Sequence, residues 1–242
     1  MKGNVENNFY EKEEMVETLI DSDRSRKAMK NLMEIVKCLL GEELKFLEIG
    51  CGTGEFLERI ISIDGRLKVW GVDISKVAID KVKEKGFEGF VLDVSRQEMP
   101  FSDDFFDIVY LGDVVEHLFD PDFMISEVKR VLKNRGILVL STPNLSSWHN
   151  RLMLLFGFQP FFSEVSTKRV FGRPGEKVVG HIRLYTLKAL KEFLSYYCFE
   201  IVKVEGACFH AFSHSLLLID KFFSKFPSLS SIIIVTAINR KG

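Results

Sequence analysis

The chain of 242 residues is predicted to be α/β with a mostly parallel sheet. Short continuous apolar runs alternate with stripes at helical spacing, and a glycine-rich turn joins an early strand to a helix. Parallel strands need right-handed crossovers, which place helices on both faces of the sheet. Met29, Leu32, Met33, Val36 and Leu40 recur at helical spacing, with Ser22 or Asp23 as N-cap and Gly41 just past the end, so a helix precedes the first strand. Residues 45–49 form that strand, and Glu55–Ile61 the helix after the glycine turn. Residues 67–72 are the second strand; Ser75 caps a helix over 76–85, which Gly86 ends. A short strand at 90–92, a fourth at 107–111, a helix at 123–133 and a fifth strand at 136–141 continue the pattern.

Beyond Pro143 the character changes. Residues 145–180 carry Trp148, Phe156, Phe158, Phe161, Phe162 and Phe171 without a long regular period. A capped helix at 187–197, a strand at 200–205, an apolar segment at 207–226 and a last strand at Ile232–Asn239 follow. Twelve of the 22 phenylalanines lie between Phe156 and Phe226, so this half is expected to carry what is particular to the substrate.

Composition narrows the function. Apolar residues make up 46% and charged residues 28%, enough for a packed core without staples. Lys and Arg total 33 against 34 Asp and Glu, and the net charge of -1 offers no general attraction to a phosphate backbone. The cysteines Cys38, Cys51, Cys198 and Cys208 show no C-x-x-C pair and no histidine at zinc spacing, so free thiols and no metal are expected. Residues 1–16 lack an apolar signal core, and no apolar run approaches the roughly eighteen residues of a membrane span. A cytoplasmic protein is expected, with attachment to a membrane surface still compatible.

The run Leu47-Glu48-Ile49-Gly50-Cys51-Gly52-Thr53-Gly54 ends an apolar strand and opens a helix, the context in which a glycine turn approaches a nucleotide-type ligand. Asp73 stands 19 residues after Gly54 at the end of the second strand, where a carboxylate can accept hydrogen bonds from ribose hydroxyls. A dinucleotide fingerprint would need glycine or alanine where the chain has Glu55, which opposes a reductase. Glu48, two residues before the first glycine, favours a ligand with a cationic end. S-adenosylmethionine, with an ammonium, a sulfonium and a ribose, meets these demands.

Glu48-Ile49-Gly50-Cys51-Gly52-Thr53-Gly54 resembles the first motif of the class I S-adenosylmethionine-dependent methyltransferases. Gly71-Val72-Asp73-Ile74-Ser75 resembles the family's acidic strand end, and Asp93-Val94 its adenine-contacting pair. Met99-Pro100-Phe101, Phe106-Asp107-Ile108-Val109 and Val115-Glu116-His117-Leu118 resemble the fourth-strand region of the branch that modifies quinones, lipid-pathway intermediates and other small molecules. Arg130-Val131-Leu132-Lys133 and Gly136-Ile137-Leu138 continue the match, which spans about residues 44–144 and, more weakly, 181–206.

The resemblance implies a Rossmann-like seven-stranded sheet in the order 3-2-1-4-5-7-6, with the last strand antiparallel, a role that Ile232–Asn239 fits. It implies one methyltransferase domain over 1–242, with a helical cap at 1–41 and lid or substrate insertions at 145–180 and 207–230. The turn of Gly50, Cys51, Gly52 and Gly54 would pack against the methionine portion, with Glu48 linked to its ammonium through the turn or a water. Asp73 would bind the ribose, Ile74 the adenine face, and Asp93 with the N–H of Val94 the adenine edge. Leu111 and Gly112 would offer backbone near the methionine end. S-adenosylhomocysteine would be the product.

In-line transfer from a sulfonium needs positioning first and a base only for acceptors of high pKa. His117, just after the fourth strand at its carboxyl edge, and His181, opening His181-Ile182-Arg183-Leu184-Tyr185-Thr186, are the catalytic candidates. The structural alternatives are a helix-start histidine bonding to backbone for His117 and, for His181, a structural hydrogen bond with Thr186 capping the helix. His149, His210 and His214 are expected at the surface or in loops. Leu216, Leu217, Ile219, Phe222, Phe223 and Phe226 can share one helical face beside Lys221 and Lys225, read as a core or lid helix or, more sharply, as a membrane-facing one. The expected acceptor is therefore a small molecule or lipid-like compound. A protein that binds S-adenosylmethionine without turnover is the alternative. A nucleic-acid methyltransferase is disfavoured, because Ser141-Thr142-Pro143-Asn144 is not the Asn/Asp-Pro-Pro-aromatic motif and no basic track exists.

Overall fold

Strand β1 (Leu44–Ile49) is buried on both sides, as a central parallel strand must be, and pairs with β2 (Leu67–Asp73) and β4 (Phe106–Gly112). The computed structural model describes residues 22–176, 178–209 and 212–241. Residues 1–21 of the expected cap and His210 lie outside these. With β3 (Glu88–Val91), β5 (Leu132–Pro143), β6 (Phe199–Ala207) and β7 (Ile232–Asn239), the strands form one sheet ordered β3-β2-β1-β4-β5-β7-β6. Pairings from β3 through β5 are parallel, and β7 runs antiparallel to both β5 and β6. Order and last-strand direction are those expected.

Alternation along the strands divides the core into two layers. Phe46, Val69, Ile108, Tyr110 and Val139 face α1 (Asp23–Cys38), α2 (Glu55–Ile61) and α3 (Lys76–Glu84) through Leu32, Val36, Phe56, Ile60, Ile79 and Val82. Leu47, Val109, Leu111, Leu138 and Val235 face α4 (Pro121–Val131) and α6 (Leu187–Tyr196) through Met124, Val128, Leu190 and Leu194. Ser22 caps α1 with its hydroxyl on the Ser25 N–H, but the buried stripe is Ala28, Leu32 and Val36, while Met33 and Leu40 are exposed. Helix α4 starts at Pro121, capped by Asp120, and ends at Val131, so β5 begins four residues before the expected strand.

The Phe-rich half departs most from expectation. Among the described residues of 145–180 there is one short helix, α5 (Trp148–Leu155). Helix α7 (His214–Phe223) turns its charge inward: Asp220 is fully buried, whereas Leu216, Leu218, Ile219 and Phe222 are 41–58% exposed. The reason is polar. Asp220 accepts from the Trp148 Nε1–H, the Ser231 hydroxyl and the Phe209 N–H, and those bonds fix which face looks in. α7 is thus not the core helix that the sequence offered as one reading. His149, expected at the surface or in a loop, is buried on α5 with Nε2 3.0 Å from Ser231 Oγ. No helix among the described residues is long and apolar enough to cross a membrane.

Candidate active site

The carboxyl ends of β1, β2 and β4 meet at the glycine turn. Gly50, Gly52 and Gly54 all have left-handed φ, +72°, +51° and +85°. A Cβ at Gly50 would lie 2.5 Å from Val114 Cγ2, whereas one at Gly52 would meet nothing within 4 Å. The turn is therefore packed against the segment after β4 on one side and open on the other. Its amides serve the protein itself: Gly50 and Cys51 N–H donate to the Val72 carbonyl, Gly54 N–H to the Cys51 carbonyl, and Gly52 N–H to Asp73 Oδ2 at 2.9 Å. The turn offers room at Gly52 more than donors. Cys51 is a buried thiol that fills the space over Gly71, and burial raises its pKa well above the usual range.

Asp73 ties turn to strand. Its other oxygen accepts from the Ser75 N–H at 2.8 Å, while Ser75 itself caps α3 by accepting from Ala78, so Asp73 is not the helix cap. Burial raises its carboxyl pKa against the lowering effect of the Ser75, Gly52 and Ile74 amides. Ile74 beside it is 45% exposed. Asp93 orders the next loop by accepting from the Ser95 N–H, and Val94 is buried against the core. Leu111 is buried in the sheet. Gly112 makes room: a Cβ there would stand 2.5 Å from Arg24 Nη1.

Arg24 is the residue that sequence reasoning missed. It enters from α1, buried, with Nε 3.2 Å from Asp113 Oδ2 and Nη1 3.5 Å from both Tyr110 OH and Ser141 Oγ. It is the cation facing three carboxylates, Asp113, Glu48 and Glu116. Glu48 is 5% exposed and its Oε2 has no hydrogen-bond partner; burial pushes its carboxyl well up, and Arg24 offsets that only partly. Glu116 is fully buried, accepts from the Thr142 hydroxyl at 2.9 Å through Oε2, and leaves Oε1 without a hydrogen bond. Burial, then the charge of Asp113, drives its carboxyl well above the usual range.

The two candidate histidines, 64 positions apart, meet here with ring centroids 4.7 Å apart. Backbone stitching brings them together. Ile182 and Arg183 N–H both donate to the Glu116 carbonyl, at 2.8 and 3.0 Å, and the Arg183 guanidinium donates to the carbonyls of Leu118 and Phe119. Glu164 holds the approach by accepting from the Val179 and Gly180 amides. His117 Nδ1 lies 3.2 Å from the Gly180 carbonyl and His181 Nδ1 3.1 Å from that of Phe162. A carbonyl only accepts, so both Nδ1 atoms carry hydrogen and both Nε2 atoms carry the lone pair of a neutral ring. Burial, then its neighbour His181, lowers His117 to about 4, and burial lowers His181. His181 Nε2 faces Glu116 Oε1 at 4.0 Å.

Comparison with known proteins agrees with this architecture. The family model described as "Methyltransferase domain" matches residues 47–140, from β1 through β5. A demethylmenaquinone methyltransferase of Bacillus velezensis is 27% identical over 170 residues, 66% of this chain and 72% of the relative. A ubiquinone biosynthesis O-methyltransferase of Pelagibacter ubique is 33% identical over 106 residues, which cover 43% of each chain. Among solved structures, the [4+2]-cyclase SpnF superposes with a TM-score of 0.61 at 20% identity, over 90% of this chain and 82% of that one. A possible histamine N-methyltransferase of Thermotoga maritima gives 0.57 at 20% identity, over 89% and 91%. The two structures speak for the fold alone, whereas the family match falls on the strands and turns that carry the motifs. Residues 47–140 thus carry a methyltransferase domain, and the relatives at this level of identity support an S-adenosylmethionine-dependent methyltransferase with S-adenosylmethionine as its cofactor.

Proposed function

We propose that the protein methylates a small, apolar or lipid-like acceptor at the carboxyl ends of β1 and β4. The observation that carries the cofactor's placement is the unpartnered, buried Glu48 Oε2 beside an open glycine turn. Arg24, paired mainly with Asp113, offsets the burial of that carboxyl only partly, and the cofactor's amino-acid end brings a further cation. Gly50, Cys51, Gly52 and Gly54 shape the wall against that end, with the backbone of Leu111 and Gly112 opposite. Asp73 keeps acceptor capacity for ribose hydroxyls, exposed Ile74 lies under the adenine, and Asp93 with the Val94 N–H reads its edge. The bound cofactor supplies an activated methyl group. The chain's own task is to align the acceptor, keep water out and deal with its proton, and His117 and His181 are assigned that activation because their rings stand together past the end of β4 with the lone pair on Nε2.

Two observations support an apolar acceptor. The quinone-pathway relatives are one. The surface of α5 and α7 is the other: Leu155 and Phe156 are 74% and 72% exposed, and Leu152, Leu154, Phe158, Leu218, Phe222 and Phe226 all exceed 45%. Trp148 stacked on Phe223 at 5.4 Å joins the two helices, and Arg151, Lys221 and Lys225 are exposed around them. Apolar side chains ringed by cations suit an anionic lipid surface on which such an acceptor is met.

Calorimetry with S-adenosylhomocysteine tests the placement: Glu48→Gln and Asp73→Ala should each weaken binding about tenfold or more, as expected for lost charged hydrogen bonds. Unchanged affinity in both refutes it. Labelled methyl transfer to short-chain hydroquinones tests the acceptor class; cofactor binding with transfer to none of them favours the binding-only alternative. Co-sedimentation with anionic vesicles should be lost in Leu155→Ser/Phe156→Ser/Phe222→Ser, and a wild type that stays in the supernatant removes the membrane contact.

A further inference from the structure

We infer that Glu116, His117 and His181 form a binding site for one divalent transition-metal ion, held between the end of β4 and the segment preceding α6. One ligand atom from each lies within 4.8 Å of the other two. Spacing of cysteines gave no hint of this site, because its members come together only through the backbone bonds between the Glu116 carbonyl and residues 182 and 183.

Three features go beyond proximity. Glu116 Oε1 is completely buried without a hydrogen bond, a position that ordinary packing does not leave to a carboxylate oxygen. Its partner Oε2 is anchored by the Thr142 hydroxyl. Both imidazoles give their Nδ1–H to backbone carbonyls, which sets the tautomer whose lone pair, on Nε2, is the one a metal ion takes. Outer bonds of this kind, one per ligand, are how proteins orient metal-binding histidines and carboxylates. Ligand atoms must draw in by about an ångström to reach the ~2.0–2.2 Å bonds of such an ion. The donors, two imidazoles and one carboxylate, select zinc, iron(II) or cobalt over magnesium, and leave coordination positions open.

The site deepens the proposed function and rests on it for its purpose. An acceptor hydroxyl bound to the ion gives its proton to water; the oxygen lone pair then forms the bond to the methyl carbon. The electron pair of the breaking carbon–sulfur bond leaves on sulfur as S-adenosylhomocysteine. That is how His117 and His181 would activate an acceptor at neutral pH without taking the proton themselves. Acceptors with two neighbouring oxygens, able to chelate, fit best.

The test uses the full chain freed of metal by chelator dialysis and titrated with Co2+ in the visible and Zn2+ by calorimetry. One equivalent should bind, with d–d bands of nitrogen and oxygen ligands and no thiolate charge-transfer band from the free cysteines. Glu116→Gln, His117→Asn and His181→Asn should each weaken binding about tenfold or more; should Glu116→Gln fail to fold, the two histidine variants decide. Absence of d–d bands, a thiolate band, or variants that bind as wild type overturn the inference. S-adenosylhomocysteine titration of the same samples separates the readings. Nucleoside binding without metal sinks the ion and spares the cofactor's placement, whereas metal binding without nucleoside does the reverse.

Discussion

Replacing Gly50 by alanine probes how the glycine turn and the histidine cluster are joined. At φ +72° an alanine costs about 1–2 kcal/mol in left-handed strain. Its Cβ would also stand 2.5 Å from Val114 Cγ2, well inside van der Waals contact, and relieving that overlap costs about 1–3 kcal/mol. Val114 cannot simply step aside, because the 3-10 turn Val115–His117 follows it and is stitched to residues 182 and 183. Gly50→Ala should therefore lower stability in urea by about 2–5 kcal/mol. In a double-mutant cycle, Val114→Ala should return the overlap portion and leave the strain, a coupling of about 1 kcal/mol or more in favour of the double variant. Additivity within about 0.5 kcal/mol would refute the packing argument. Gly52→Ala is the internal control. With nothing within 4 Å of its Cβ, it should cost only the strain, yet reduce S-adenosylhomocysteine affinity by filling the open side.

His149 predicts an acid-sensitive fold. Burial lowers it from 6.5 to about 4, so the native state holds it neutral while the unfolded chain protonates it. Its contribution is complete above pH 6.5 and is lost as pH falls toward 4, up to roughly 3 kcal/mol; His149→Gln should flatten urea midpoints across that window, and an unchanged pH profile would count against the burial. Arg24→Met should destabilise by about 3–5 kcal/mol because Asp113 is left without its cation, and Asp113→Asn in the same chain should recover part of the loss. A double variant no better than the single would show that Arg24 acts by packing alone.

The sheet was legible because its signals are local. Apolar runs, the Ser75 cap and the glycines each depend on neighbours a few positions away, and strand order followed from the motif resemblance. The glycine turn was located correctly, but which of its amides remain available depends on Asp73 and Val72, and only geometry shows them spent. Arg24 escaped because its partner Tyr110 is 86 residues away and a lone arginine on an amphipathic helix reads as solvated. α7 was misjudged for a related reason. A helical face of Leu and Phe suggests burial, but the three hydrogen bonds to Asp220 come from residues 148, 209 and 231, and they outweigh the hydrophobic preference of the outer face.

The charges at the carboxyl edge of the sheet explain why these residues are gathered there. Arg24 is set against Glu48, Asp113 and Glu116, and it is consumed mainly by Asp113, the nearest of them. A core selected for stability alone would replace the other two by apolar side chains, since unpaired buried carboxylates cost more than they return. Instead Glu48 keeps Oε2 and Glu116 keeps Oε1 without partners, one beside the glycine turn and one beside two imidazoles. Burial then forces each carboxyl to hold either a proton or a cation. The stability forgone in the unliganded protein becomes binding energy when cations arrive, so cofactor and metal ion should each raise the thermal midpoint, and do so through different carboxylates. Glu48→Gln would then reduce the shift from the nucleoside alone and Glu116→Gln the shift from the ion alone. A single variant that reduced both would mean that one shared site, not two, organises this edge.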